Sequence, residues 1–304
     1  DTWKSRGLGD VYKRQQLDDP IVGQGSVEIE CNKKKKLIGI TRAHLEEDAG
    51  KSIHDKYDSS SAIDLNRAGT PLLEIVSEPD LRSAKEAVAY LKKIHSIVTF
   101  LDISDGDMSQ GSLRCDANVS IRKKGESEYG CRTEIKNINS FKFVEKAINF
   151  EILRQIKIKN LNNEIEQETR LYDSQKNETR SMRSKEHAND YRYFPEPDLI
   201  PLQISNEYIE NIRKSLPELP EQKISRFCSE YGLSIYESEI LNSSKGMSNF
   251  FEEVAISVKD VKTAVKWILG DFSAILNKNN CLVEDSLISS SDLVDLLNCL
   301  NENK

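Results

Sequence analysis

Two short segments of this sequence place acidic side chains next to one another or among apolar residues. Three consecutive acids stand at Glu46, Glu47 and Asp48, and Glu74 stands inside the apolar run of residues 72–76. Carboxylates this close together repel one another unless a cation binds between them, and Mg²⁺ prefers hard oxygen ligands. A carboxylate among apolar residues likewise needs a proton, a basic partner or a cation. The acidic triplet alone is typical of an exposed loop, but together with Glu74 it predicts a divalent-metal site.

A second set of polar residues alternates with apolar or small ones. Residues 113–122 alternate strictly, and residues 131–136 repeat the pattern after a polar turn. This spacing predicts two neighbouring strands, each with one face on a core. The polar faces carry Arg114, Asp116, Asn118, Ser120 and Arg122 on the first strand, and Arg132, Glu134 and Lys136 on the second. Spacing alone leaves two interpretations open, the floor of a polar-ligand site and the solvated face of an antiparallel sheet.

Basic residues with aromatic neighbours form a third candidate. Arg67 lies in a turn at residues 66–71, residues 180–186 are a basic cluster, and residues 190–198 add tyrosines and a phenylalanine. Such segments bind phosphates, a nucleotide base or a tRNA end, but they also occur as ordered loops closed by prolines. The sequence contains no P-loop, dinucleotide-binding fingerprint, nucleophile elbow or zinc-finger spacing. The residues by themselves therefore predict a site for Mg²⁺ and phosphate.

The elements that must position these residues follow from periodicity. Residues 26–31 and 36–45 read as strands around a lysine-rich turn at 32–35, which is typical of a solvated hairpin tip. A capping box at Ser83 predicts a helix through Leu101, and a second helix is predicted after Ser140. These features predict an α+β domain with an antiparallel sheet.

After Ile204 the periodicity is helical almost throughout. Residues 260–276 form a strongly amphipathic segment, and Trp267 is interpreted as a core or interface residue. The sequence therefore predicts a mixed domain followed by an all-α one.

Composition limits the classes of function. The chain has 304 residues, 31% of them charged, and a net charge of −7, so any nucleic-acid contact must come from local basic patches. The six cysteines are scattered without a Cys-x-x-Cys pair, which is typical of reduced thiols in the cytoplasm. No apolar run approaches the roughly 20 residues that span a bilayer, and no signal peptide is expected. We therefore predict a cytoplasmic protein without a membrane contact.

Five segments together resemble a known family. Residues 38–51, 64–80, 111–120, 134–141 and 190–198 closely resemble, in order, the B subunit of the aspartyl/glutamyl-tRNA(Asn/Gln) amidotransferase. The resemblance implies a cradle-like α+β catalytic domain on an antiparallel sheet at residues 16–204. An incomplete all-α helical domain is implied at 205–304, while residues 1–15 match nothing in the family.

The resemblance also implies a reaction. Such subunits use Mg-ATP to phosphorylate the side-chain carboxylate of Glu-tRNA(Gln) or Asp-tRNA(Asn). Ammonia from the glutaminase A subunit then displaces phosphate, which makes the enzyme a ligase that forms a carbon–nitrogen bond. The implied partners are that A subunit, a small C subunit that completes a heterotrimer, and tRNA(Gln) or tRNA(Asn) carrying Glu or Asp.

Site residues carry over from the resemblance position by position. Glu47 and Glu74 match the family's Mg²⁺ carboxylates and are the implied catalytic residues. The implied contacts to ATP or the acyl phosphate are Arg114, Asp116, Asn118, Lys136 and Asn137. Two alternatives stay open, a non-catalytic subunit for tRNA binding or assembly and a free-standing Mg²⁺-dependent phosphotransferase for a small carboxylate.

Three departures from the family pattern accompany this resemblance. The family's opening segment, which brings a further Glu and a His to the metal site, has no counterpart. In many members it also carries a cysteine-ligated zinc, so zinc is not assigned here. The sequence is also expected to stop before the family's C-terminal tail domain.

Overall fold

The computed structural model describes residues 20, 22–53, 60–184 and 203–301. The chain forms two compact units. The first contains the residues up to His95 together with Gly106–Ile204, and the second contains Ser96–Asp105 together with the residues from Ser205 onward. Sheets and helices combine in the first unit and helices make up the second, which confirms the predicted α+β fold followed by an all-α region.

The strands and helices before residue 204 are β1 (Gly25–Cys31), β2 (Lys34–Glu47), β3 (Lys51–Ile53), β4 (Ala62–Asp64), β5 (Pro71–Ser77), α1 (Ala84–Phe100), β6 (Ala117–Val119), β7 (Thr133–Lys136), α2 (Phe141–Asn160), β8 (Glu168–Asp173) and β9 (Glu178–Ser184). They form a sheet in the order β1-β2-β5, a pair β3-β4, and a sheet in the order β6-β7-β8-β9. All pairs are antiparallel except β7 and β8, which run parallel.

The predicted hairpin is present with a tighter tip. β1 and β2 are joined by Asn32 and Lys33 alone, and both residues have positive φ, at 54° and 61°. Two-residue hairpin turns of the primed types require this left-handed backbone. Lys36 is not at the tip: its Nζ donates to the Glu86 carboxylate at 2.7 Å and to the Asp80 carbonyl oxygen at 2.8 Å. Lys36, the first residue after the predicted turn, therefore helps to attach the hairpin to the start of α1.

Both predicted helix starts are confirmed by their caps. The Ser83 hydroxyl accepts a hydrogen bond from the Glu86 amide at 3.2 Å, and the Ser140 hydroxyl accepts one from the Phe143 amide at 3.1 Å. These bonds satisfy amide groups that the first turn of a helix leaves without an intrahelical partner.

The core of the first unit lies between helices α1 and α2 and the sheet that begins with β6. Its buried apolar residues are Ala84, Leu91, Met108, Val119, Ile135, Ile138, Val144, Ala147, Ile148 and Tyr172. Gln155 on α2 is also buried, and its amide nitrogen donates to the Val119 carbonyl oxygen at 3.0 Å and to the Thr133 hydroxyl at 3.3 Å. The helix is thus attached directly to β6 and β7.

The elements after residue 204 are α3 (Asn206–Ser215), α4 (Pro220–Tyr231), α5 (Ile235–Leu241), α6 (Lys245–Ser257), α7 (Val261–Trp267), a π-helical turn (Ile268–Phe272), α8 (Ser273–Asn279), a 3₁₀ turn (Val283–Asp285) and α9 (Ser290–Asn301). The predicted amphipathic segment is therefore helical throughout, with Asp260 as its N-cap. Trp267 packs against the apolar core of this unit, as predicted. Within the described ranges, no helix has both the length and the apolar character needed to cross a membrane.

Candidate functional site

The β2–β5 pair brings an imidazole and two carboxylates together on one sheet face. His44 stands directly opposite Glu74 in the register, and Glu46 lies two residues further along β2, on the same side of the strand. The His44 Nε2 atom is 3.7 Å from Glu74 Oε2 and 3.8 Å from Glu46 Oε1. His44 is 1% exposed, whereas the Glu74 side chain is 42% exposed, so the cluster has a buried side and an open side.

The donor atoms of this cluster suit a divalent cation. One candidate ligand atom from each of His44, Glu46 and Glu74 lies within 4.8 Å of the other two. Mg²⁺ is commonly held by one or two carboxylates together with substrate phosphates, and an imidazole nitrogen suits several other divalent metals. Among the described residues, this is the one group of at least three His, Cys, Asp or Glu side chains whose ligand atoms lie this close together. The residues present therefore fit a divalent metal.

Glu47 is not part of this cluster. β2 runs through Glu47, so the acids expected just past a strand end lie within the strand or directly after it. Glu47 pairs with Pro71, and because side chains alternate along a strand, this register directs Glu47 to the face opposite Glu74. The structure thus gathers His44 and Glu46 around Glu74. The assignment of Glu47 and Glu74 as the magnesium pair stays a prediction.

Asp48 is occupied by two arginines. Its Oδ2 atom accepts a hydrogen bond from Arg67 Nε at 2.8 Å and another from Arg114 Nη2. Burial raises the pKa of the Asp48 carboxyl, but these bonds and the charge of Arg114 outweigh it and hold the pKa below its ordinary value. The third acid of the triplet is therefore an ionised partner of two guanidinium groups.

The predicted polar sheet face is present on shorter strands than expected. Ordered strand pairing covers only Ala117–Val119 and Thr133–Lys136, with Asn118 opposite Glu134. Lys136 Nζ donates to the Asp116 carboxylate at 2.5 Å and lies 3.4 Å from Glu134 Oε1. Burial lowers the pKa of Lys136, but these contacts, chiefly with Asp116, raise it above its ordinary value. On this face Lys136 is therefore paired with Asp116 and Glu134.

Two further predicted contacts have structural neighbours. Arg114 precedes β6 and donates through Nε to the Gly111 carbonyl oxygen at 3.3 Å, in addition to its bond to Asp48. Asn137 follows β7 with a φ of 65°, and its side-chain amide donates to the Tyr172 carbonyl oxygen at 3.0 Å. The roles of Arg114, Asp116, Asn118, Lys136 and Asn137 in binding ATP or an acyl phosphate stay predictions. The basic and aromatic segments at 185–186 and 190–198 lie outside the described residues.

Sequence reasoning missed His44 and the pairing of Asp48. The signal for His44 was the spacing of His44, Glu46 and Asp48, since every second residue of a strand shares a face. That signal has no meaning in a loop, which is where the acids were expected. The partners of Asp48 lie 19 and 66 residues away, and no local pattern connects them.

The fold and the site together define a class of protein. It is an α+β domain that holds two carboxylates and an imidazole on one sheet face. Residues 6–210 match the family model of the GatB/GatE catalytic domain, and residues 249–304 match a model described as the GatB domain. The chain belongs to the GatB family.

Curated relatives agree with this membership. The chain is 59% identical over 293 residues to a Hahella chejuensis protein, which is named as the B subunit of an aspartyl/glutamyl-tRNA(Asn/Gln) amidotransferase. It is 56% identical to proteins of the same name from Vesicomyosocius okutanii and Thioalkalivibrio sulfidiphilus. Each match covers 96% of this chain and 61% or 62% of the relative, so the chain spans about three fifths of these proteins.

Proposed function

We propose that this chain is the catalytic part of the B subunit of a tRNA-dependent amidotransferase. In this proposal ATP phosphorylates the side-chain carboxylate of Glu-tRNA(Gln) or Asp-tRNA(Asn). Ammonia then attacks the acyl carbon, the carbon–oxygen bond to phosphate breaks, and inorganic phosphate leaves with the amide formed. Activation is needed because a carboxylate resists attack by ammonia, whereas phosphate is a good leaving group. The names of the relatives and the family match support this reaction.

The observation that carries the proposal is the convergence of His44, Glu46 and Glu74 on one face of the β2–β5 pair. The two carboxylates offer hard oxygen ligands, and the buried imidazole offers a nitrogen beside them. A bound magnesium ion would supply the Lewis-acid polarisation of phosphoryl oxygens on which phosphoryl transfer depends. The hydrogen-bonded β2–β5 pair would keep His44, Glu46 and Glu74 in fixed positions around the ion, which limits reorganisation during the reaction.

Cationic side chains elsewhere in the same compact unit have a separate role in the proposal. Arg114 and Lys136 carry positive charge that can balance the negative charge developing on a transferring phosphoryl group. Asp116, Asn118 and Asn137 offer hydrogen-bonding groups around the same substrate. With a net charge of −7 on the chain, binding of tRNA has to come from local basic surfaces and from partner subunits. We include among those partners the glutaminase A subunit and the small C subunit.

The test is an amidation assay with matched carboxylate variants. The native protein that contains this sequence is assembled with its A and C subunits. It is then supplied with Glu-tRNA(Gln), ATP, Mg²⁺ and either glutamine or free ammonia. Glu74→Gln is expected to abolish amidation with both nitrogen donors while the glutaminase partner still hydrolyses glutamine. Glu46→Gln and Glu47→Gln then distinguish the geometric cluster from the pair implied by the family resemblance.

Two results would contradict the proposal. Amidation with free ammonia that survives Glu74→Gln would remove Glu74 from the chemistry. A complex that binds charged tRNA but never consumes ATP would instead support a non-catalytic subunit for tRNA binding or assembly.

A further inference from the structure

Two elements carry six lysines where the β1–β2 hairpin lies beside α1. A groove of about 400 Å³ is lined from both elements, by Asn32 of the hairpin and by Lys85 and Lys92 of α1. Lys85 and Lys92 are seven residues apart, which is two helical turns, so they share one face of α1. We call the six residues the lysine surface: Lys33, Lys34 and Lys35 of the hairpin, and Lys85, Lys92 and Lys93 of α1.

The charges of the two elements act on one another. Burial is the main cause that lowers the pKa of Lys93; the charge of Lys35 lowers it further, and Glu28 raises it. Lys35 of the hairpin and Lys93 of α1 are therefore close enough to repel each other. A polyanion bound across both elements would relieve this repulsion.

Carboxylates neutralise only part of the lysine surface. Lys35 Nζ lies 2.7 Å from Glu28 Oε1, but the two side chains are 70% and 52% exposed, and such exposed pairs are weak. Glu30 is the second acid beside the groove, so four of the six positive charges are left without a counterpart. Three exposed lysines of this surface have no ion-pair partner among the described residues: Lys33, Lys34 and Lys85. A local excess of positive charge therefore stands out on a chain whose net charge is −7.

The lysine surface lies far along β2 from the candidate metal cluster. β2 begins at Lys34, and His44 stands ten residues further along the strand. Because an extended strand rises about 3.3 Å per residue, roughly 30 Å separates the two positions. A mononucleotide is too short to contact both. A nucleic acid, which presents phosphate charge continuously along its length, is long enough.

We propose that the lysine surface binds the phosphate backbone of a helical RNA. The lysine ammonium group is a compact point charge on a flexible stem, which suits contacts to phosphates that position an RNA without reading its bases. That this RNA is the tRNA of the amidation reaction rests on the proposed function, whereas the RNA-binding surface itself does not.

The test measures binding of a fluorescein-labelled tRNA(Gln) transcript to the assembled A, B and C subunits by fluorescence anisotropy across a KCl series. The double variant Lys33→Gln, Lys34→Gln is expected to weaken binding at least about fivefold at about 0.1 M KCl. It should also reduce the slope of log affinity against log salt by about 1.5, since each lost phosphate contact releases nearly one ion fewer. Lys85→Gln, Lys92→Gln is expected to do the same from the α1 side.

Two controls establish that charge at this place is the cause. Lys33→Arg, Lys34→Arg keeps both charges and is expected to bind the transcript like the unmodified enzyme. Lys123→Gln, Lys124→Gln removes two exposed charges from another turn of the same compact unit and is expected to change binding less than about twofold.

Three results would overturn the proposal. The first is a hairpin glutamine variant that binds within about twofold of the unmodified enzyme and has the same salt slope. The second is an equal loss in the Lys123→Gln, Lys124→Gln control, because the attraction would then depend only on total charge. The third is an equal loss in the arginine variant, because the lysine charge would then not be the cause.

Steady-state amidation separates this inference from the proposed function. In the assembled enzyme, Lys33→Gln, Lys34→Gln is expected to raise KM for Glu-tRNA(Gln) about fivefold and to leave kcat unchanged, because binding is lost away from the reacting groups. Lysine-dependent tRNA binding without amidation by the unmodified enzyme would remove the proposed reaction and leave the RNA surface standing. Amidation together with tRNA binding that does not depend on these lysines would remove only the RNA surface.

Discussion

His44 lies directly opposite Glu74 in the antiparallel β2–β5 pair, with its Nε2 atom 3.7 Å from the carboxylate. Opposite residues in such a pair place their side chains on the same face, within about 5.5 Å at Cβ. A shift of one residue in this register would place Glu74 on the other face of the sheet, away from His44 and Glu46. The register of two strands therefore decides whether the candidate metal site exists.

Replacement of His44 tests the nitrogen ligand. We expect His44→Gln to weaken Mn²⁺ binding by at least about tenfold, or ~1.4 kcal/mol, because an imidazole ligand is lost from a group of three. Electron paramagnetic resonance titration with Mn²⁺ measures this directly. The matched control is His95→Gln, whose ring packs edge-on against Phe141 with centroids 5.6 Å apart, and which should bind Mn²⁺ like the unmodified chain. Equal Mn²⁺ affinity in His44→Gln would exclude the imidazole.

Asp48 should make stability depend on pH. Its folded pKa lies below the ordinary value of 3.8, so its contribution is complete above that value and is lost as the pH falls through the folded pKa. We expect Asp48→Asn to cost about 1–3 kcal/mol near neutral pH, since bonds to charged partners are removed. The difference from the unmodified chain should vanish in strong acid, as measured by urea unfolding across a pH series.

The control for this effect is Asp116→Asn. The Asp116 side chain is 48% exposed in its pair with Lys136, so we expect at most about 1 kcal/mol of change. A penalty for Asp48→Asn that persists unchanged in acid would mean that the carboxylate charge is not its cause.

The buried acid Glu151 should be essential for stability. Glu151 is fully buried on α2 and accepts two hydrogen bonds from Arg154, at 2.7 and 2.9 Å, and one from Gln155 at 2.9 Å. Arg170 on β8 lies 3.6 Å from the same carboxylate. We expect Glu151→Gln to cost about 3 kcal/mol in urea unfolding, because it removes the buried carboxylate that pairs with the partly buried Arg154 guanidinium.

Lys146→Gln provides the comparison for Glu151→Gln. It also removes a charge from α2, but from an exposed position, so a change within about 0.5 kcal/mol is expected. Similar losses of unfolding free energy in the two variants would show that the contacts of Glu151 stabilise the fold no more than an exposed charge does.

Thiol reactivity should separate the cysteines by environment. Burial, with a smaller effect of the Asp116 charge, raises the pKa of the Cys115 thiol to about 12, whereas Cys131 and Cys299 are exposed. Because the thiolate is the reactive form, Cys115 should resist iodoacetamide at pH 8 while the other two are alkylated. Peptide mass spectrometry after a timed reaction measures each site. Equally fast labelling of Cys115 in the folded chain would contradict the raised pKa of its thiol.

Local patterns predicted much of the fold. The alternation in residues 26–31 and 36–45 predicted β1 and β2, and the caps at Ser83 and Ser140 predicted both helix starts, because these signals are contained within a few residues. Strand lengths were less predictable. The alternation of residues 113–122 continues well beyond β6, since a period of two does not show where a pairing partner ends.

The candidate site was harder to predict from the sequence than the fold was. Glu74 was recognisable because an acid in an apolar run is unusual, but the choice between Glu46 and Glu47 depends on the β2–β5 register. The link between Asp48, Arg67 and Arg114 joins three separate segments, and sequence spacing carries no information about such long-range contacts.

The central claim is that His44, Glu46 and Glu74 hold a divalent cation. Anomalous X-ray scattering from a crystal of the chain soaked in Mn²⁺ tests it most directly, because the peak locates the ion independently of any activity. We predict a peak bounded by the His44 imidazole and the carboxylates of Glu46 and Glu74. A peak at Glu47 on the opposite sheet face, or no peak at a saturating Mn²⁺ concentration, would contradict the claim.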